Sequence, residues 1–197
     1  MALFVAASST LVAIDSTLRG RLTALGLSTV VSTPAAVTAA DATGKALVII
    51  SGTIDSAMLG TKLRDVTVPV LSMEPNIMGD MLLCTGGATM GSQTQLNVVN
   101  AIHPLAAGLE GPVTVYGSSA SLVIGTPAAG AVVVARPVGD AAHATLYAYD
   151  TGAMMVGGTA APGRRIAFYV NDNQATITLT ANGTKLFDAA VTWAIGP

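Results

Sequence analysis

Charged side chains make up only 10% of this 197-residue chain, against roughly 25% in an average soluble protein. The 9 basic and 11 acidic residues leave a net charge of -2 and are spread along the sequence. No basic patch is available to neutralise phosphates, so nucleic acid is not expected as a partner. Aromatic residues amount to 4%, too few to flank an isoalloxazine ring, and neither a flavin nor any other cofactor is expected. The lone cysteine, Cys84, forms no intramolecular disulfide and builds no thiolate metal site by itself; it reads as a small buried apolar residue. The two histidines, His103 and His143, stand far apart without a His-x-x-x-His spacing, which gives no metal signal. His103 precedes Pro104 and reads as part of a chain-reversing turn, His143 as a surface or turn residue. Apolar runs reach only about six residues against the ~20 needed to cross a bilayer, so no membrane association is expected. Met1-Ala-Leu-Phe-Val-Ala-Ala7 has no basic segment before it and reads as a first strand, not as a signal peptide; the compartment stays open.

Apolar residues nevertheless make up 51% of the chain. Two readings compete: small Ala, Gly and Thr residues that raise the hydropathy, or a subunit with much of its surface buried against neighbours. The length suits a single domain over residues 1–197.

The first half alternates strand and helix. Leu3 to Ala7 is a short apolar strand. From Thr10 to Leu25 the residues Leu11, Ile14, Leu18, Leu22 and Leu25 recur at helical spacing, with Asp15, Arg19 and Arg21 placed mostly off the stripe. Gly26 stands where a left-handed cap is common. Leu27–Val31 and Ala46–Ile50 follow as strands, the latter an uninterrupted aliphatic run of the kind buried on both faces of a parallel sheet. The second half is different. Leu96–Val99, Val113–Tyr116, Leu122–Ile124, Ala131–Ala135 and Ala144–Tyr149 are short runs between Gly, Pro and Asp turns, which predicts an antiparallel extension. Arg165–Val170 reads as a further buried strand. After a turn at Asn182-Gly183, Thr184 is expected to cap a last helix packed through Leu186, Phe187, Ala190, Val191 and Ala194, with Trp193 beside them. Gly86-Gly87-Ala-Thr-Met-Gly91 reads as a flexible loop after a helix holding Cys84, without the Lys-Ser/Thr ending of a nucleotide cradle.

Ala46-Leu-Val-Ile-Ile-Ser-Gly52, a helical segment, and then Val68-Pro-Val-Leu-Ser-Met-Glu-Pro-Asn76 resemble the class I glutamine amidotransferase-like superfamily. Asn100-Ala-Ile-His-Pro-Leu-Ala-Ala-Gly-Leu109 and the closing Arg164 to Val170 and Leu186 to Ala194 segments are similar to its trehalose-utilisation-protein-like members. The resemblance implies an α/β, flavodoxin-like, doubly wound and mostly parallel sheet, here with an antiparallel β-rich extension. It also implies the company of larger, secreted, carbohydrate-associated proteins. Where the family carries its nucleophile in Gly-x-Cys-x-Gly, this chain reads Ser72-Met-Glu-Pro-Asn76. Where a catalytic His-Pro-Glu would follow a strand, it reads Val170-Asn-Asp-Asn173. Without a thiol or an imidazole at those positions, glutamine hydrolysis through a thioester is not expected.

In open α/β sheets, ligands sit beyond the carboxyl ends of the strands. The polar residues placed there are Ser8, Ser9 and Thr10; Ser51, Thr53 and Asp55; Glu74 and Asn76; and Asn171, Asp172 and Asn173. This rim either caps turns and helices or binds a ligand. Three functions follow as expectations. The first is a non-enzymatic structural or interaction protein that self-associates or decorates a larger assembly, such as a virion, on a degenerate scaffold. The second is a carbohydrate-binding accessory domain that uses the rim, and the third a hydrolase that uses Glu74 and Asp172 as an acid–base pair.

Overall fold

A computed structural model describes residues 1–171 and 177–196. Strands β1 (Ala2–Val5), β2 (Thr29–Ser32), β3 (Leu47–Ile50) and β4 (Val70–Ser72) alternate with helices α1 (Ala13–Ala24) and α2 (Ser56–Leu59). Strands β5 (Thr85–Gln93), β6 (Gln95–Val98), β7 (Gly111–Thr114), β8 (Ala120–Thr126), β9 (Val132–Pro137), β10 (Leu146–Tyr149) and β11 (Arg165–Ala167) follow, and α3 (Ala181–Ile195) ends the described chain. Among the described residues, nine strands form one sheet in the order β2-β1-β3-β4-β11-β10-β9-β6-β7, while β5 and β8 make a separate ribbon. The strands β2, β1, β3, β4 and β11 run parallel, and β10, β9, β6 and β7 continue the sheet antiparallel. The doubly wound, flavodoxin-like sheet with an antiparallel extension is therefore present.

The central strands are apolar at nearly every position because both of their faces are covered. On one face Phe4, Ile49 and Leu71 pack with Ile14, Leu18 and Leu22 of α1 and with Leu186, Phe187 and Val191 of α3. On the other, Leu3, Val5, Val48, Ile50 and Val70 pack with Leu59, Ile77, Met78, Met81, Tyr147 and Tyr149. α1 ends as the sequence predicts, with Gly26 at φ 80° just beyond its last turn. Across the first face, Arg21 of α1 is ion-paired with Asp188 of α3.

Three local expectations are corrected. Residues 86–91 are not a flexible loop but the middle of β5, and Cys84 stands immediately before that strand, not in a helix. The glycines there serve close approach. A Cβ on Gly87 would come within 2.3 Å of the Pro75 carbonyl oxygen, and one on Gly125 of β8 within 2.3 Å of Cys84 Sγ. The last helix is capped by Thr180, whose hydroxyl accepts from Gly183 N at 3.1 Å, and not by Thr184. Asn182-Gly183 accordingly lies inside the first turn, where a Cβ on Gly183 would meet the Val115 carbonyl oxygen at 2.5 Å. Asp15, placed off the helical stripe, is in fact only 2% exposed.

Arg165 begins β11 and is wholly buried. Its guanidinium donates to the carbonyls of Val68 (3.1 Å), Arg164 (3.1 Å) and Arg64 (3.0 Å), and to that of Val66. Burial lowers its pKa to about 10, so it remains charged at neutral pH. Arg165→Leu orphans these carbonyls and should cost about 3 kcal/mol in urea unfolding; a loss within experimental error would show that the loop holds itself. Cys84 is buried, and burial raises its thiol pKa despite a hydrogen bond with Tyr147. A disulfide reagent should therefore modify it only on unfolding, and stoichiometric labelling of the native protein would contradict this packing.

Candidate functional site

The polar rim divides into two clusters at the carboxyl ends of the parallel strands. The first is at the turn after β4. Glu74 lies just beyond Ser72 and starts the 3-10 turn Pro75–Ile77. Its backbone is extended, with φ -91° and ψ 115°, and none of the non-glycine residues with positive φ among those described (Leu82, Ser92 and Ala107) is at this turn. The strained backbone that presents a nucleophile at a strand-to-helix elbow is missing. Glu74 is 5% exposed. One carboxylate oxygen, Oε1, accepts from Asn76 N at 3.0 Å and from Asn76 Nδ2 at 2.7 Å. Burial raises its pKa, and the two bonds from Asn76 oppose that shift. Two residues earlier in the chain, the Ser72 hydroxyl is fully buried and has no hydrogen-bond partner among the described residues.

The second cluster lies between β1 and β3. Asp15 projects from the first turn of α1 and accepts from Ser51 Oγ at 2.6 Å and from Thr53 Oγ1 at 3.1 Å. Thr53 Oγ1 also accepts from Ala7 N at 3.1 Å, and Ser51 Oγ accepts from Thr53 N at 3.0 Å. The buried carboxylate makes no ion pair with a described residue; two hydroxyl donors hold it. Burial raises the Asp15 pKa, and the hydroxyl bonds pull in the opposite direction.

Ser51 and Thr53 thus meet around Asp15, and Glu74 and Asn76 meet each other. Asp55 caps α2 through bonds from Ala57 N and Met58 N, as the capping reading of the rim expects. Ser8 does not cap α1: its hydroxyl accepts from Thr10 N at 3.1 Å, and the N-cap is Val12 with no side-chain bond. Asn171 is buried at the end of the β11 segment. Asp172 and Asn173 lie outside the described residues, so the pairing of Glu74 with Asp172 does too. Of the histidines, His103 accepts from Leu105 N through Nδ1 at 3.2 Å and packs at a tilt of 55° against Trp193, and burial lowers its pKa. His143 Nδ1 lies 2.7 Å from Asp140 Oδ2. Among the described residues the Glu74 carboxylate is bonded to Asn76 alone, and no group of three or more His, Cys, Asp or Glu is arranged for a metal. Nor is any helix among them long and apolar enough to cross a membrane.

Asp15 is the participant the helical reading misplaced, and the sequence did carry its signal. It stands four residues after Leu11 and three before Leu18, within the apolar stripe, where a carboxylate must find buried donors.

No family model matches this chain, and no curated protein is similar to it. Its fold is similar to the crystal structure of a protein from Thermoplasma acidophilum, provisionally assigned as a GMP synthase subunit. The TM-score is 0.61 at 13% sequence identity, over 98% of this chain and 94% of that one. At this identity the likeness concerns the fold alone.

Both buried carboxyls bind their protons more tightly in the folded protein than at their ordinary pKa values of 3.8 and 4.5. Stability from such groups is highest below the ordinary value and is lost as pH rises through the raised one. Asp15→Asn and Glu74→Gln should each flatten the decline in unfolding free energy between about pH 4 and neutrality. Parent and variant profiles that stay parallel across this range would show that the two carboxyls do not titrate differently on folding.

Proposed function

We propose that this chain is a non-enzymatic structural or interaction protein, built on an amidotransferase-like scaffold that lacks the catalytic cysteine and histidine, and that it self-associates or decorates a larger assembly. The observation that carries this reading is the turn after β4. There Glu74 replaces the thiol, its backbone is unstrained, and Asn76 holds its carboxylate. A carboxylate fixed in this way forms no thioester, and it has no imidazole partner among the described residues. Support for assembly comes from the 10% charge content and from large apolar side chains left in solvent, including Met58, Val99, Ile102, Val138 and Met154.

The trehalose-utilisation-like resemblance keeps a carbohydrate-binding accessory role as the alternative. Four described rim residues already bond to one another or to Asp15, so such a ligand would have to exchange those bonds for its own. The hydrolase that would use Glu74 and Asp172 is the weaker alternative, and Asp172 lies outside the described residues.

Light scattering coupled to size exclusion should return a discrete multiple of the chain mass, with no glutamate released from glutamine. A monomer over a wide concentration range would overturn the assembly reading, and glutaminase activity would overturn the non-enzymatic one. Glycan binding that disappears in Glu74→Ala would move the assignment to the accessory role.

A further inference from the structure

The nine-stranded sheet ends at β2 on one side and at β7 on the other, and among the described residues the ribbon adds β5 as a third open edge. An open edge pairs with further strands unless charge, proline or a bulge prevents it. Two of the three are guarded in this way. β7 carries Pro112 directly after Gly111 and follows Glu110. β5 slips register against β8 between Thr85 and Ala88 and again between Met90 and Gln93, with positive φ at Gly86 and Ser92. β2 has none of these devices. It reads Thr29-Val-Val-Ser32, and residues 22–40 contain no charged side chain.

The parallel register decides which backbone groups of β2 are free. Ala2 N and Ala6 N donate to the carbonyls of Ser28 and Ser32, so Ser28, Val30 and Ser32 bond to β1, while Thr29 and Val31 turn their N–H and C=O outward. No hydrogen bond among the described residues uses those outward groups. Arg19 of α1 reaches Thr29 only at its hydroxyl, through Nε at 3.0 Å. Val31 packs against the layer that holds α1, and Val30, on the opposite face, is 44% exposed.

Such a strand is its own complement. When two copies of β2 meet antiparallel about a two-fold axis at Val30, Thr29 of each copy faces Val31 of the other, and both pairs exchange their two hydrogen bonds. The two Val30 residues then take the close, non-bonded position and cover each other's exposed side chains. The strip around this edge has the extent a specific contact requires. It spans α1, the sheet, and residues 33–42, whose Val37 and Ala42 pack in the second core layer. With 12 residues, α1 is about 18 Å long. Three layers of roughly 10 Å then give a patch of ~540 Å² on each copy. A pair buries roughly 1,100 Å², just above the ~1,000 Å² that a specific interface needs.

We infer that β2 is the surface through which two copies of this chain join, strand to strand and antiparallel about a two-fold axis at Val30. This rests on the self-association proposed above and names its interface. Light scattering across a range of concentrations should return an even multiple of the chain mass. Val30→Lys sets like charges opposite each other, and Val31→Pro removes an outward N–H that β1 does not use. Each should weaken association about tenfold while far-UV circular dichroism keeps the parent signal. In the parent, concentration should slow deuterium exchange at the Thr29 and Val31 amides about tenfold relative to a dilute, dissociated sample, a comparison that needs no variant. Folded variants that associate as tightly as the parent would overturn this interface and leave self-association standing through another surface. An odd multiple of the chain mass, or exchange at Thr29 and Val31 that is independent of concentration in an associating parent, would do the same. A parent that stays monomeric throughout would overturn both.

Discussion

The parallel pairing of β4 with β11 joins the two halves of the molecule. The other parallel strands of the sheet lie between Ala2 and Ser72, its antiparallel ones between Gln95 and Tyr149, and β11 is the only strand hydrogen-bonded to both β4 and β10 among those described. Arg165 stands at that joint and binds the carbonyls leading into β4, with Val68 97 residues away in sequence. A buried guanidinium is costly to desolvate, and carbonyl acceptors in several directions are what make its burial tolerable. The remainder of the sheet is arranged around this contact: helices α1 and α3 cover one face, and the Leu59, Met78 and Tyr149 layer covers the other.

Small residues are used to bring backbones together. Gly87 lets β5 approach the turn that carries Glu74, Gly125 lets β8 close over Cys84, and Gly183 lets α3 begin against Val115. Thus the apolar excess reflects, in part, a chain whose layers meet at backbone distance. The same closeness explains the treatment of the carboxyls at the strand ends. Asp15 and Glu74 are buried without cationic partners among the described residues, and each is held by donors from adjacent turns. Buried negative charge of this kind is retained through hydrogen bonds and not through ion pairs.

Much of the architecture was legible in the sequence because periodicity and burial coincide there. The aliphatic runs of β1, β3 and β4 name a parallel sheet covered on both faces, and the Leu11 to Leu22 spacing names α1. Leu186, Phe187, Ala190, Val191 and Ala194 are the buried face of α3, as their spacing predicts. Glu74 and Asn76 were placed at a strand end by the same logic. Less legible were the features set by neighbours remote in sequence. The run Gly86 to Gly91 has the composition of a loop and becomes a strand because β8 pairs with it. Asn182-Gly183 has the composition of a turn and becomes helix because Thr180 caps from further back.

By itself the sequence determined the fold class, the absence of a thiol at the turn after β4, and the residue types gathered at the strand ends. These depend on side-chain chemistry and on local periodicity, which one chain read in order already contains. Only the tertiary structure decided how those residues are used. It turned Asp15 inward onto Ser51 and Thr53, fixed Glu74 on Asn76, and placed Arg165 at the joint of the sheet. Hydrogen-bond partners across layers follow from how the strands are ordered in space, and strand order is set by contacts far apart in sequence.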